Sequence, residues 1–321
     1  MHWILHKSQS REPLTRDEAL AVLRLPPDDM PVLMYAASET RKSRFGNSVI
    51  LCSILNARCG ACSEDCAFCA QSAHHKTEVQ SFPMIPAEAI SVAAKSAAGN
   101  PIKHFGVVTS GGSLDDQDIH TVCSAIDGVK AAGVTPCASL GMLDDAHLSA
   151  LKEAGLVRYH HNLETAAGYY PQICTTHSFE DRIETVRRAK RAGLEVCSGG
   201  ILGMGETLEH RVDLAFTLHH EGVNSIPLNF LVPIPGTRLE GQERMKPLEI
   251  LKTIAMFRLT NRDAEIKVCA GRESGMRDLQ SMFFYAGATG IMVGNYLTVA
   301  GRALEDDIQM LTDLEVDCDR T

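Results

Sequence analysis

From residue 49 onward the chain repeats one unit eight times, a short apolar run followed by a longer, helix-like stretch. The runs fall at 49–55, 104–109, 134–140, 157–163, 194–200, 225–231, 266–270 and 290–294. This is β/α alternation, which builds parallel sheet covered by helices. Amphipathic stretches such as 86–98, 118–132, 144–154 and 179–192 supply the helices, and Gly133 and Gly193 read as C-caps of the second and fourth. Eight units make a (β/α)8 TIM-type barrel the economical α/β fold, and a barrel of about 250 residues is a single domain. A doubly wound open sheet is the structural alternative, because alternation alone does not require closure. Residues 1–48, with a helix start at Thr15-Arg16-Asp17-Glu18, read as an N-terminal helical extension, and residues 49–321 as the barrel domain with its C-terminal segment.

A net charge of −9 argues against a broad nucleic-acid or anionic-membrane surface, which needs clustered Lys and Arg, and favours a small-molecule substrate. No run approaches the roughly 20 apolar residues of a membrane helix, and residues 1–31 carry too many charges for a secretory signal, so the expected address is cytoplasmic. In that compartment eleven cysteines are expected to be mostly reduced, which points to metal or cluster ligation before disulfides.

Cys62, Cys66 and Cys69 form a C-x3-C-x2-C run just after the first strand, where a barrel gathers its catalytic loops. Three thiolates on one loop can hold three irons of a 4Fe-4S cubane and leave the fourth iron open for chemistry. A structural zinc knot is the alternative; it usually needs four protein ligands, and no obvious second pair follows, although His74 and His75 lie close.

With Phe68 immediately before the third cysteine, this run resembles the signature of the radical S-adenosylmethionine superfamily. The resemblance implies that the methionyl amine and carboxylate chelate the open iron, and that electron transfer yields a 5′-deoxyadenosyl radical. Thr109-Ser110-Gly111-Gly112 resembles the superfamily's amine-binding turn, and the stretch from Gly199 through Ile201 to Glu206 its adenine-contacting strand. Ordinary tight βα turns would give similar glycine-rich runs. The match narrows through Gly60-Ala61-Cys62, Gln71, Lys76-Thr77, His161-Asn162-Leu163-Glu164-Thr165, Val196-Cys197-Ser198-Gly199-Gly200, Pro227-Leu228-Asn229-Phe230 and Ala270-Gly271-Arg272-Glu273. In this order, over about residues 49–297, the chain resembles the biotin synthase family. That family converts dethiobiotin to biotin by removing hydrogen from unactivated carbons and inserting sulfur from a second iron-sulfur cluster. The resemblance implies dethiobiotin as substrate, a low-potential donor of the flavodoxin or ferredoxin type, and a homodimer. It also implies that Asn162 and Asn229 hold the substrate ureido group, and that Phe68, Ser110, Gly111, Glu164, Arg182 and Ile201 contact S-adenosylmethionine. Buried asparagines that satisfy backbone groups, and an Arg182 on a solvated helix face, are the plain alternatives.

The family's auxiliary cluster uses three strand cysteines and an arginine, and here the match supplies only Cys137 and Cys197; Gly106 and Lys267 stand at the other two positions. Cys269, two residues past Lys267, shares its strand face. Cys59 precedes the cluster loop at the barrel mouth. The expected auxiliary ligands are therefore Cys59, Cys137, Cys197 and Cys269, holding a four-iron cluster with an added sulfide, as in a variant branch of the family. Buried packing thiols are the alternative for Cys59 and Cys269, Cys52 and Cys123 read as core residues, and Cys174 and Cys318 have no assignment. Loss of two familiar ligands also keeps open a related radical enzyme, methylornithine synthase-like or hydrogenase-maturation-like, or a non-catalytic iron-sulfur carrier.

Overall fold

A computed structural model describes residues 2–10 and 12–319; Met1, Arg11, Arg320 and Thr321, which belong to the expected extension and barrel domain, lie outside the described residues. Nine strands form one parallel ring: β1 (Ser48–Arg58), β2 (His104–Thr109), β3 (Thr135–Ser139), β4 (Arg158–His160), β5 (Glu195–Cys197), β6 (Gly200–Leu202), β7 (Ser225–Phe230), β8 (Glu265–Val268) and β9 (Gly290–Met292). They pair in the order β1-β2-β3-β4-β5-β7-β8-β9, and β9 returns to β1 with Ile50 opposite Gly290. The barrel is closed. β5 and β6 are two halves of the fifth strand, since Cys197 faces Ser225 and Gly200 faces Leu228 at an unchanged offset on β7. The expected continuous run 194–200 breaks at Ser198-Gly199, where a Cβ on Gly199 would stand 2.0 Å from the Pro227 carbonyl oxygen. β10 (Asp317–Asp319), which the apolar pattern did not mark, adds outside the ring beside β1.

Leu51, Tyr159, Val196, Ile226, Ile266 and Ile291 are buried between ring and helices, while alternate residues on the same strands face the barrel axis. The helices Asp116–Ala131, Asp145–Glu153, Phe179–Arg191 and Leu208–Glu221 begin at Asp115, Asp144, Ser178 and Thr207, whose side chains accept the otherwise unpaired N3 amide hydrogens. Gly133 and Gly193, at φ +90° and +75°, end two helices in the left-handed region that a side chain disfavours. In the N-terminal segment Thr15 and Glu18 form a capping box at the start of Arg16–Leu23. The next helix, Met30–Phe45, packs on Pro247–Thr260 and Met282–Tyr285. No helix among the described residues is long and apolar enough to cross a membrane.

Candidate functional site: a barrel cavity lined by two groups of thiols

A cavity of about 620 Å³ runs into the barrel from the C-terminal ends of the strands. Cys62, Cys66 and Cys69 line it together, from the loop that follows β1. Backbone bonds set that loop: Cys62 N–H donates to Gln71 O (3.1 Å), Ala73 N–H to Cys62 O (2.8 Å) and Cys69 N–H to Cys66 O (3.0 Å). Burial raises the Cys69 thiol to about 11, although the Gln71 and Ser72 amides donate toward its sulfur and oppose the rise. Cys66 Sγ donates toward Cys174 Sγ, 3.9 Å away, and together with burial this pushes the Cys66 thiol well up. The loop is also pinned by Asp65, whose carboxylate accepts from Thr175 N–H (2.8 Å) and Thr175 Oγ1 (2.6 Å). Burial works against the Asp65 charge, but these donors outweigh it and hold the carboxyl well below its ordinary range.

The remaining sequence-predicted cofactor residues surround this loop. Ser110 donates its hydroxyl to Gly60 O (2.8 Å), tying β2 to the cysteine loop. Gly111 has φ +113°, and a Cβ on Gly112 would meet Glu64 Oε1 at 2.5 Å, so the turn leaves room that side chains would fill. Glu164 is buried at φ +67° and held there because its carbonyl accepts from Ile201 N–H (2.8 Å) while its own N–H donates to Gly199 O (3.2 Å). A left-handed non-glycine residue is costly and persists only where its surroundings over-determine it. Arg182 donates to Asn162 O (2.8 Å) and Tyr170 Oη (2.6 Å) and stands 3.7 Å from Glu164. It is a cavity residue and not a solvated helix residue. Phe68 and Ile201 pack with Ile173, Met204 and Leu231 in a small apolar cluster of their own. Glu206 closes the turn beneath by accepting from Gly203 and Met204 N–H (2.8 and 2.7 Å).

Asn162 and Asn229 both line the cavity, and both also serve the backbone. Asn162 Oδ1 accepts from Gly199 N–H (3.1 Å) and its amide reaches Glu164 (3.4 Å); Asn229 bridges Gly200 O (3.2 Å) and Ala270 N–H (3.1 Å).

Deeper in the barrel a second set of thiols faces the axis: Cys52 from β1, Cys137 from β3, Cys197 from β5 and Cys269 just past β8. The structure places Cys59, expected among these thiols, outside the set that lines the cavity. Cys59 is buried but does not line the cavity, because it exchanges two backbone hydrogen bonds with Phe82 (3.0 and 3.1 Å) and is held in that side bridge. Cys52, expected to be a packing residue, lines the cavity instead. Gly106 sits between Ile54 and Cys137 in the ladder and offers no ligand. Cys123 lies on the helix Asp116–Ala131 and Cys318 on β10, both away from the cavity.

Sequence reasoning also missed the polar groups around these thiols. His104 Nδ1 lies 3.7 Å from Cys137 Sγ and His160 Nδ1 lies 3.4 Å from Cys197 Sγ. Burial lowers His160 to about 4 and His104 further still, so both imidazoles are neutral at pH 7. Below them Arg158 donates to Glu265 (2.6 Å) and Glu195 (2.7 Å), and Lys267 pairs with Glu265 (3.0 Å). Burial works against the Lys267 charge, but the Cys52 sulfur and the Glu265 carboxylate outweigh it and hold the ammonium protonated. The available signal was strand parity: His104 and Gly106, Arg158 and His160, and Glu265, Lys267 and Cys269 each recur at steps of two.

This donor chemistry suits iron-sulfur groups. Burial raises Cys52, Cys137 (to about 12) and Cys269, so these sulfurs carry charge there only with a metal or a cation beside them. A closed parallel barrel with a three-cysteine loop at its mouth and further thiols on its axis defines a radical S-adenosylmethionine enzyme with an auxiliary iron-sulfur cluster. Comparison with known proteins agrees: residues 58–218 match the radical SAM superfamily and residues 227–317 the biotin and thiamin synthesis associated domain. The chain is 52% identical to a biotin synthase of Geobacter sulfurreducens over 303 residues, covering 94% of this chain and 92% of that one. It is 48% identical to a biotin synthase of Pelotomaculum thermopropionicum over 314 residues, covering 98% of each. The chain belongs to the biotin synthase family, and its cofactors are a 4Fe-4S cluster, S-adenosylmethionine and an auxiliary iron-sulfur cluster. It is a sulfur-inserting enzyme that acts on dethiobiotin and draws on a reductant. Among solved structures, methylornithine synthase (PylB) shares the fold at TM-score 0.85 and 21% identity, covering 99% of this chain and 97% of that one. The hydrogenase maturase HydG from Carboxydothermus hydrogenoformans does so at TM-score 0.81 and 16% identity, covering 98% of this chain and 78% of that one.

Proposed function

We propose that the two thiol groups divide the reaction between them. Cys62, Cys66 and Cys69 hold the radical cluster at the mouth, while Cys52, Cys137, Cys197 and Cys269 hold the sulfur-donating auxiliary cluster within the barrel. Asn162 and Asn229 take the dethiobiotin ureido group between them. The observation that carries this reading is that all nine residues line one cavity. S-adenosylmethionine on the first cluster supplies hydrogen-atom abstraction from unactivated C–H bonds, which acid-base groups cannot perform.

The chain's own residues bind, orient and exclude water. Glu164 and Arg182 form a paired acid and base for the polar ends of S-adenosylmethionine, with Ser110 and Gly111 at its amine and Phe68 and Ile201 offering an apolar face. Ile54, Val108, Leu231, Val232 and Met292 line the intervening space and keep it apolar. Lys267 and Arg158 set two fixed positive charges beneath the auxiliary thiolates, which offsets the accumulated negative charge. Lys267 has no free lone pair while it stays protonated, so it acts as a charge partner and not as a ligand. A cytoplasmic address follows from the family, and no helix among the described residues is long and apolar enough to cross a membrane. A flavodoxin- or ferredoxin-type donor and a homodimer follow from the family. Replacing Cys137 or Cys269 with Ala should remove the second cluster and biotin formation but preserve S-adenosylmethionine cleavage, whereas Lys267→Met should keep its iron. Full iron and normal biotin yield in both cysteine variants would overturn the ligand set.

A further inference from the structure

Cys174 belongs to neither thiol group, yet it is buried against the cluster loop. Its sulfur lies 3.9 Å from Cys66 Sγ, 3.2 Å from Asp65 Oδ1, and 3.3 and 3.8 Å from Nδ1 and Nε2 of His177. Donor atoms of Cys66, Cys174 and His177 all fall within 4.8 Å of one another. Around one tetrahedral ion with metal–sulfur bonds of about 2.3 Å and metal–nitrogen bonds of about 2.0 Å, two sulfurs stand about 3.8 Å apart and a sulfur and a nitrogen about 3.6 Å. The spacing therefore fits a single shared ion. Thiolates of a cubane, each on its own iron, stand further apart.

The imidazole supplies a second, independent observation. His177 Nδ1 is 2.7 Å from Glu64 Oε2, and an ionised carboxylate can only accept, so Nδ1 carries the hydrogen and Nε2 is the nitrogen left to face a metal. A histidine whose other nitrogen donates to a carboxylate is the usual arrangement at a metal. The Asp65 oxygen near Cys174 offers a fourth position.

We propose that in the cluster-free chain Cys66, Cys174 and His177 bind one divalent ion of the zinc or ferrous class, with Glu64 orienting the imidazole and Asp65 beside the metal. Each thiol loses its proton as its sulfur bonds to the metal, so binding one ion releases up to two protons and requires no electron donor. Cys66 cannot serve this ion and the radical cluster together, so the two occupants compete. That competition rests on the assignment of Cys66 to the radical cluster; the ion site itself does not.

The test titrates Co²⁺ into the anaerobic, cluster-free full chain carrying Cys137→Ala and Cys197→Ala, which removes half of the auxiliary thiolates. One equivalent should bind with a sulfur-to-cobalt charge-transfer band. That equivalent should persist in added Cys62→Ala or Cys69→Ala, vanish in Cys174→Ala and in His177→Ala, and weaken 10- to 100-fold in Glu64→Gln. Circular dichroism checks that each variant is folded, and Cys174→Ser replaces Cys174→Ala should the latter not fold. In a second arm, chain preloaded with Zn²⁺ should take up radical-cluster iron more slowly than chain preloaded with Fe²⁺, and Cys174→Ala should abolish the difference. Co²⁺ binding that survives both Cys174→Ala and His177→Ala but disappears with Cys62→Ala would assign the ion to the cluster cysteines and overturn the proposal. The two-cluster reading of the cavity would stand unaffected by that result.

Discussion

Cys52 and Cys59 separate the auxiliary-cluster assignment from simple packing, because both are buried and only Cys52 lines the cavity. Replacing a buried packing thiol with Ala removes one methyl-sized group and costs about 1 kcal/mol, a shift of about 1 to 2 °C in thermal midpoint for a chain of this size. Cys59→Ala should show that modest loss and no more. Its backbone bridge to Phe82 uses no side-chain atom, so the local structure should persist. Cys52→Ala removes one of the four inward thiols, and on the proposed ligand set the auxiliary cluster should be lost or strongly depleted, a deficit of up to about four irons per chain. The assay is iron and sulfide determination on anaerobically reconstituted protein, run beside thermal melts of the cluster-free chains. Full iron in Cys52→Ala with a large deficit in Cys59→Ala would refute the reasoning from cavity position.

Three further outcomes follow from the same structure. Replacing Cys62, Cys66 or Cys69 with Ala should abolish reductive cleavage of S-adenosylmethionine while the barrel stays folded; undiminished 5′-deoxyadenosine from any one of them would remove that residue from the cluster. Asn162→Ala should weaken dethiobiotin binding by about 1 to 3 kcal/mol in an anaerobic titration, since the buried ureido group keeps its desolvation cost and loses a partner; unchanged affinity would exclude Asn162 from the substrate site. Glu265→Gln leaves Arg158 and Lys267, with side chains only 6% and 4% exposed, without their shared counter-charge, and should cost about 3 kcal/mol in denaturant unfolding at pH 7. Burial opposes the Glu265 charge, but Lys267 and Arg158 outweigh it and hold the carboxyl below its ordinary range. The wild-type advantage over Gln is therefore complete above the unfolded-state value of about 4.3 and shrinks by about 1 kcal/mol on going down to pH 3.5. A gap that widened on acidification would contradict the depressed carboxyl.

The eight strands were legible because each must bury its outward face under a helix, which leaves a strand-length apolar run between helix-length stretches. The grouping of Cys62, Cys66 and Cys69 at the barrel mouth was legible because the three thiols are local in sequence. The inward position of Cys52 was not: nearness to the cluster loop in sequence favoured Cys59, whereas inward direction is set by the register of β1 against β2 and β9. The Arg158–Glu265–Lys267 floor escaped notice because Arg158 lies 107 residues from Glu265 and becomes its neighbour only when the ring closes. Cys174 lies 108 residues from Cys66, and no local pattern links them. Asn162 and Asn229 were singled out by family likeness, and their backbone-bridging bonds became visible only in three dimensions.

The most direct test of a radical enzyme that gives up sulfur from its own barrel is isotopic. The chain should be reconstituted anaerobically with iron and ³⁴S-sulfide, then supplied with dethiobiotin, S-adenosylmethionine and a chemical low-potential reductant, and the product analysed by mass spectrometry. The account predicts biotin carrying ³⁴S together with 5′-deoxyadenosine, and no labelled biotin from Cys52→Ala. Formation of 5′-deoxyadenosine with no biotin, or biotin without the label, would contradict it.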